Sequence, residues 1–235
     1  PGPLPGKAQL LLVGLVGMLA QLGRIPALLL RTIRGVRRLR KRRAAASVEV
    51  PAYSKGAPWT VLNEAFTRGR VFTRVNLPLA GLRQMKSAAG VTVNDVVLAV
   101  VAGAVRRVLV GRDMLPERPL LVVVPMGDEA PGAPERQYGN HFWSLTTTLA
   151  TDIEDPVERL RTIAEVTAVG KAHLQALGSG IIRSWLDVVP PRMLARGAGK
   201  VFERLRDSTD DIDANVLVSN VRGPAELLTL GGRTV

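Results

Sequence analysis

The chain has 235 residues, 46% of them hydrophobic, which is enough to bury a core in one large domain or two small ones. It contains no cysteine, which excludes disulfides and thiolate metal sites, and its two histidines, His141 and His173, have no carboxylate partner at metal-ligand spacing, so we expect no metal site. The net charge of +12 suggests an anionic partner, but residues 1–48 hold ten basic residues and no acid, and the remainder is nearly neutral.

Residues 1–48 are predicted to form a basic amphipathic connector. Residues 8–22 are uncharged, but they are short for a bilayer-spanning helix, and the positive charge follows the apolar run, the reverse of a signal peptide. After Pro26, apolar residues recur with arginines between them, which is typical of a helix that lies among lipid headgroups. The side chains expected to contact an anionic membrane are Arg31, Arg34, Arg37, Arg38, Arg40, Lys41, Arg42 and Arg43.

The same basic helix has two other interpretations. It can pack on its own protein with a solvated basic end, and the sequence leaves this alternative open beside membrane contact. It can also attract nucleic acid, but residues 1–48 contain no aromatic side chain for base stacking, so we expect no nucleic-acid partner.

The next elements are marked by turn residues. Residues 44–58 are predicted to be a linker, and the alternation over residues 70–75 predicts a strand. Pro78 at a first helical turn and Gly90 as a stop then predict a helix between them.

The stretch that follows Gly90 predicts the central helix of the fold. Thr92, followed three residues later by Asp95, has the pattern of a capping box at a helix start. Residues 96–105 are all apolar or glycine, so we expect a helix that is buried all round, inside a domain.

The second half of the chain alternates strands and helices. Residues 119–125 predict a strand buried on both faces, residues 127–139 a loop, and residues 140–149 a second strand. Asp155 followed by proline predicts the start of a helix that runs to about Gly178, with further helical patterns over residues 181–205 and a last strand over 215–221. This order indicates an α+β domain with a mixed sheet.

Few residues suggest chemistry. His141, at a strand start, could act as a general base only if it faced a cavity, and a structural role is favoured; His173 is expected at the surface. No GxSxG elbow, glycine-rich phosphate loop or carboxylate pair is evident. The polar groups placed where apolar elements end are Asn94, Asp95, Ser219 and Asn220. Capping accounts for Asp95, whereas for Ser219 and Asn220 a structural and a functional role remain open.

Several motifs together resemble the bacterial wax ester synthase/acyl-CoA:diacylglycerol acyltransferase family, particularly its actinobacterial members. VTVNDVVLAVVAGAVRRVL (91–109) is preceded by LPLAGLRQMKSAAG and followed by RPLLVVVPM. TVLN (60–63), RVF (70–72), GN (139–140), DIEDPVERLRTI (152–163) and VSNVRGP (218–224) occur in the expected order.

The resemblance implies a lobe like those of chloramphenicol acetyltransferase and condensation domains. It implies that residues 49–235 form the C-terminal lobe of a two-lobed acyltransferase, truncated at its C-terminus. The family's catalytic HHxxxDG motif is absent from this sequence, so neither histidine inherits the role of base. The implied base would come from an N-terminal lobe, and this chain alone is expected to be inactive.

The resemblance also implies substrates and a location. Acyl-CoA would be a substrate rather than a cofactor, and the acceptor would be diacylglycerol or a long-chain alcohol, giving triacylglycerol or wax ester. The expected location is the cytoplasm, at the inner face of the plasma membrane or on lipid droplets. The side chains expected at the lobe interface or substrate tunnel are Asn94, Asp95, Asn140, Ser219 and Asn220. A rival hypothesis is a non-catalytic lipid-binding or scaffolding module.

Overall fold

The computed structural model describes most of the chain in eleven segments. These are residues 6–51, 56–64, 68–127, 142–178, 180–189, 192–193, 195–197, 199, 213–221, 223 and 229–234. Asn140, His141 and most of the loop predicted over 127–139 lie outside the described residues. The same holds for most of the region predicted as helical after residue 189.

Helix α1 is one continuous element, Lys7–Ala44, with Pro26 inside it. Proline lacks a backbone N–H, so one intrahelical hydrogen bond is absent there, but the helix continues on both sides. Its second half packs on the rest of the protein, where Leu28 and Gly35 are buried. Its first half exposes apolar side chains, among them Leu11 and Val13. The apolar run and the basic helix are therefore two halves of one element.

Helices α2 (Leu79–Ala89) and α3 (Val93–Val110) follow as predicted from the turn residues. Gly90 ends α2 with a φ of 66°, a left-handed conformation that glycine adopts without strain. The capping box is confirmed: Asp95 Oδ2 accepts from the Thr92 backbone N–H at 2.9 Å, and the Thr92 hydroxyl accepts from the Asp95 N–H at 3.3 Å.

The main sheet has three strands in the order β2-β1-β3. Strand β1 (Leu121–Gly127) pairs antiparallel with β2 (Phe142–Thr148) and parallel with β3 (Val216–Leu217). Pro125 lies within the central strand β1, opposite Ser144 of β2. It is tolerated because, among the described residues, β3 pairs with β1 only at residues 122 and 123, so no described strand needs the missing N–H.

Helix α4 (Pro156–Leu177) packs against β2 and α3, and helix α5 (Ile181–Val188) packs against α1. Asp155 caps α4 as predicted, accepting from the Val157 and Glu158 N–H groups at 2.9 and 2.7 Å. Two short antiparallel strands, β4 (Thr229–Leu230) and β5 (Arg233–Thr234), form a separate small sheet. The predicted α+β class, with a mixed sheet, flanking helices and an N-terminal helix, is confirmed.

The hydrophobic core lies between α3, the sheet and α4. Its fully buried members include Leu98, Leu109, Val122, Leu149 and Ile163. The opposite side of α3 is not covered, since Val100 and Val108 are 41% and 49% exposed. The expectation that α3 is buried all round is therefore wrong for the described residues, because the sheet, α2 and α4 together cover only part of the helix surface.

The prediction of a strand over residues 70–75 is also wrong. Residues 70–77 form no regular structure, and Val71 and Phe72 are 100% and 90% exposed. Alternating side chains fit a strand only where a neighbouring backbone supplies the ladder hydrogen bonds, and no described strand lies beside this segment.

By length and composition alone, one helix in the described part of the chain could cross a membrane, and that helix is α1. Helices α2 and α3, bent by 105°, pass the same test only when they are taken together as one broken span.

Candidate functional site

An open groove with a volume of about 880 Å³ lies between α2, α3 and the start of α4. It is hereafter called the α2–α3–α4 groove. Small side chains form much of its wall, because alanine and glycine recur on the faces of α2 and α3 that meet there: Ala88, Ala89, Ala99, Gly103 and Ala104. Larger apolar side chains complete the wall: Met85, Val96, Val100, Pro156, Val157 and Leu160.

The charged side chains along this groove are mostly positive. Three arginines line it, Arg107, Arg159 and Arg161, against one acid, Glu154. Arg107 and Arg161 are exposed, whereas Arg159 is only 7% exposed. An apolar groove with cationic groups along it suits a ligand that is apolar in one part and anionic in another.

The guanidinium of Arg159 is held by the turn before α4. Its Nη1 donates to the carbonyl oxygens of Ile153 and Glu154 at 2.8 and 3.3 Å. Its Nε is buried and has no partner among the described residues. Burial and, to a lesser degree, the nearby Arg106 lower the pKa of Arg159, while Asp155 partly offsets them. Arginine nevertheless stays charged, so an incompletely compensated cation lies beside the groove.

The guanidinium of Arg159 occupies the space left by the absent side chain of Gly103. A Cβ at residue 103 would lie 3.3 Å from Nη2 of Arg159, closer than most Cβ contacts. Arg159 has no marked signal in the sequence, since a basic residue in the first turn of a helix is ordinarily solvated. Only the packing of α3 against α4 shows that it is buried.

The start of α3 brings the two predicted interface residues to the edge of the core. Asp95 is 4% exposed, and its Oδ2 also accepts from the Thr92 hydroxyl at 2.6 Å. Its Oδ1 is buried without a partner among the described residues, so capping uses only one of the two oxygens. Asn94, the neighbouring residue, is half-buried.

Ser219 and Asn220 follow β3 and are both exposed. Neither lines the α2–α3–α4 groove. Their approach to a substrate tunnel stays a prediction. Asn140 lies outside the described residues.

Asn215, a residue whose role sequence reasoning missed, holds the start of β3 in place. The buried Asn215 side chain accepts from the Leu121 N–H at 2.9 Å and donates to the carbonyl of Pro58 and to Asn63 Oδ1 at 2.6 and 2.8 Å. Asn63 in turn donates to the carbonyl of Ala214 at 3.2 Å. This network joins the TVLN segment to β1 and β3, which gives a structural reason for that motif.

The eight basic side chains predicted to contact a membrane are all exposed on α1. Four of them, Arg31, Arg34, Arg37 and Arg38, line a cleft of about 470 Å³ against the end of α4 and the start of α5. A second cleft, of about 430 Å³, continues along the same side of α1 from Gln21 to Arg31. The basic half of α1 is thus packed on its own protein and exposes its cations.

His173 corrects an expectation. It was expected at the surface, but it is 7% exposed on α4, and neither ring nitrogen has a partner among the described residues. Helix α1 packs across α4, and a local sequence pattern contains no information about that cover. Among the described residues, no group of three or more histidine or acidic side chains could hold a metal ion.

Comparison with protein families gives two matches. Residues 1–97 match the wax ester synthase/diacylglycerol acyltransferase catalytic domain, and residues 138–235 match the WS/DGAT C-terminal domain. The walls of the α2–α3–α4 groove draw on both matched regions, since Ala88 belongs to the first and Leu160 to the second.

Similar curated proteins come from mycobacteria. A Mycobacterium tuberculosis H37Rv protein with the provisional name diacylglycerol O-acyltransferase is 34% identical over 239 residues, covering 100% of this chain and 49% of that protein. A similarly named Mycobacterium bovis protein is 35% identical over 181 residues, covering 75% of this chain and 34% of that protein. The chain spans about half the length of the first of these relatives.

Similarity also extends to a solved structure. The wax ester synthase/diacylglycerol acyltransferase from Marinobacter aquaeolei VT8 matches 86% of this chain and 41% of its own, with 23% identity and a TM-score of 0.48.

Proposed function

Because this chain belongs to the wax ester synthase/diacylglycerol acyltransferase family, we propose that it is part of an acyl-CoA-dependent O-acyltransferase. The observation that carries the proposal is the match of both the catalytic and the C-terminal domain of one family to the same chain. The proposed products are triacylglycerol from diacylglycerol and wax ester from a long-chain alcohol. The names of the mycobacterial relatives favour diacylglycerol as an acceptor.

The proposed reaction is attack by the acceptor hydroxyl oxygen on the thioester carbonyl of acyl-CoA. A general base takes the hydroxyl proton, the new ester bond forms, and the carbon–sulfur bond breaks to release the CoA thiolate. The sequence has no pair of adjacent histidines, so we propose that a segment with the HHxxxDG motif supplies the base as an N-terminal lobe. In this arrangement the chain contributes substrate contacts and the surface that meets that lobe.

Asn94 and Asp95 are proposed to brace the surface between the lobes. The unused, buried Oδ1 of Asp95 supports this role, because a buried acceptor gains free energy when a donor reaches it. Asn140, Ser219 and Asn220 are proposed to approach the substrate tunnel, and the exposure of Ser219 and Asn220 leaves them accessible to a ligand or a second lobe.

Membrane contact by α1 is proposed as a second role. The support is its division into an apolar half, with Leu11, Val13 and Val16 exposed, and a basic half, whose Arg34 and Arg38 are exposed. A helix of this kind can insert apolar side chains among acyl chains while its arginines meet lipid phosphates. The proposed location is the inner face of the plasma membrane or the surface of lipid droplets.

The acyltransferase proposal is tested by measuring transfer of a radiolabelled palmitoyl group from palmitoyl-CoA to dioleoylglycerol or hexadecanol. We expect no turnover by this chain alone and product formation when a segment containing HHxxxDG is joined or added. Loss of that product when both histidines of the motif are replaced by alanine is the control for the assigned base. Turnover by this chain alone would contradict the assignment of the base to another segment.

The competing proposal is a lipid-binding module without catalysis. It predicts that lipid binds but that no ester forms, even with the HHxxxDG segment present. The same assay therefore separates the two hypotheses.

A further inference from the structure

We propose that the α2–α3–α4 groove binds a long acyl chain with an anionic head, and that Arg107, Arg159 and Arg161 receive that head. The choice of acyl-CoA as the source of this chain rests on the proposed acyltransferase function. Binding itself is independent of turnover and can be measured without an acceptor.

The shape of the groove fits a flexible chain. Its volume of about 880 Å³ falls within the range of about 300 to 1,000 Å³ that is common for small-ligand sites. Small residues on α2 and α3 create the space, and Val100 and Leu160 add apolar surface. Burial of the methylene groups of an acyl chain against these apolar side chains is favourable, so the chain supplies most of the affinity.

The buried guanidinium identifies the head as an anion. Arg159 is more than nine-tenths buried, its Nε has no partner among the described residues, and its Nη2 lies beside Gly103 in the groove wall. A buried cation without full compensation is costly, and an anion bound beside it removes that cost. Arg107 and Arg161, both exposed, add two donors that a neutral ligand would not use.

Two ligands share this chemistry. A free fatty acid presents a carboxylate, and acyl-CoA presents phosphates beyond its thioester. The charge of the groove, three arginines against Glu154, suits either, and the competitors in the experiment distinguish them.

The experiment measures binding of cis-parinaric acid, a fluorescent long-chain carboxylate, to the purified protein. Palmitoyl-CoA, palmitate and methyl palmitate are then tested as competitors. We expect palmitoyl-CoA and palmitate to displace the probe and methyl palmitate to compete at least tenfold less well. The stronger of the two anionic competitors identifies the natural source. Equal competition by methyl palmitate would overturn the role of the arginines.

Two sets of variants locate the site. Ala104→Trp places a large side chain in the groove from an exposed position, and we expect it to weaken probe binding at least tenfold. Val110→Trp is its control, because it adds the same bulk at an exposed position of α3 outside the groove, and this variant should bind the probe normally. The double variant Arg107→Gln/Arg161→Gln should also weaken binding about tenfold. Arg112→Gln/Arg118→Gln removes the same charge from exposed positions outside the groove and serves as its control.

Unchanged binding in both groove variants would overturn the proposal, because the probe would then bind elsewhere, for example on the apolar half of α1. If the groove variants lose probe binding but no ester forms even with the HHxxxDG segment present, the groove proposal stands and the proposed reaction is wrong. If ester forms and the groove variants bind the probe normally, the proposed reaction stands and the groove proposal is wrong.

Discussion

At the scale of single residues, three buried polar side chains differ in how many hydrogen-bond partners they have, and their effect on stability should differ accordingly. Asn215 makes three hydrogen bonds that join a loop to the sheet, and Asp95 uses one oxygen for a cap and leaves the other unpaired. His173 is buried with no partner among the described residues for either nitrogen. Removal of the unpaired His173 ring should therefore leave the free energy of unfolding unchanged or raise it, whereas removal of the fully paired Asn215 amide should lower it.

We predict that His173→Leu leaves the free energy of unfolding unchanged or raises it by up to about 1 kcal/mol, because an unpaired polar ring is replaced by an apolar side chain. Urea denaturation followed by circular dichroism measures this. Asn215→Leu is the matched comparison and should lose about 3 kcal/mol, since it leaves the buried Leu121 N–H and Pro58 carbonyl without their partner. A loss of similar size in both variants would show that His173 makes a stabilising contact.

At the scale of elements, the packing of α1 on α4 depends on one close approach. The Cα of Gly35 faces the Leu177 carbonyl so closely that an added Cβ would overlap the oxygen. The contact is supported nearby by the Trp185 Nε1–H, which donates to the Thr32 hydroxyl at 3.0 Å. Glycine is therefore required at residue 35 by space, since its backbone is helical.

We predict that Gly35→Ala lowers the free energy of unfolding by about 1 to 3 kcal/mol, because the backbone of α4 cannot yield as a side chain can. Gly23→Ala is the matched control in the same helix, where nothing lies within 4 Å of the added Cβ. It should gain about 0.5 to 1 kcal/mol from the higher helix propensity of alanine. If both variants were stabilised, α1 would not be held against α4 at this point.

At the scale of the whole molecule, the apolar half of α1 is a surface that the other described residues leave uncovered. Leu10, Leu11, Leu12 and Val13 are each more than half exposed, whereas Leu28 in the second half is buried. An exposed apolar surface of this kind marks an interaction with a membrane or a protein partner. The exposed arginines in the second half of the helix favour an anionic membrane.

We predict that the protein floats with vesicles containing phosphatidylglycerol and that deletion of residues 1–20 abolishes most of this binding. The deletion spares the part of α1 that packs on α4 and α5, so the fold should remain, as circular dichroism would check. Neutral phosphatidylcholine vesicles should bind less because the arginines then lack anionic partners. Flotation that is insensitive to the deletion would contradict membrane contact by this half of the helix.

The elements that could be predicted from the sequence are those set by local chemistry. The cap formed by Thr92 and Asp95, the cap at Asp155 and the stop at Gly90 each depend on hydrogen bonds or backbone angles within a few residues. Strand β1 was predictable because its apolar residues are continuous. The family was predictable because its motifs depend on residue order alone.

The tertiary structure alone decided burial and pairing. It left residues 70–75 without a neighbouring strand, covered His173, enclosed Arg159 and made Asn215 a bridge between distant segments. These outcomes depend on which elements pack together, and contacts between residues far apart in sequence have no signature in any short window. The sequence by itself thus determined the caps, most of the elements and the family, whereas the packing of α3, α4 and α1 decided which polar groups are buried and where the α2–α3–α4 groove lies.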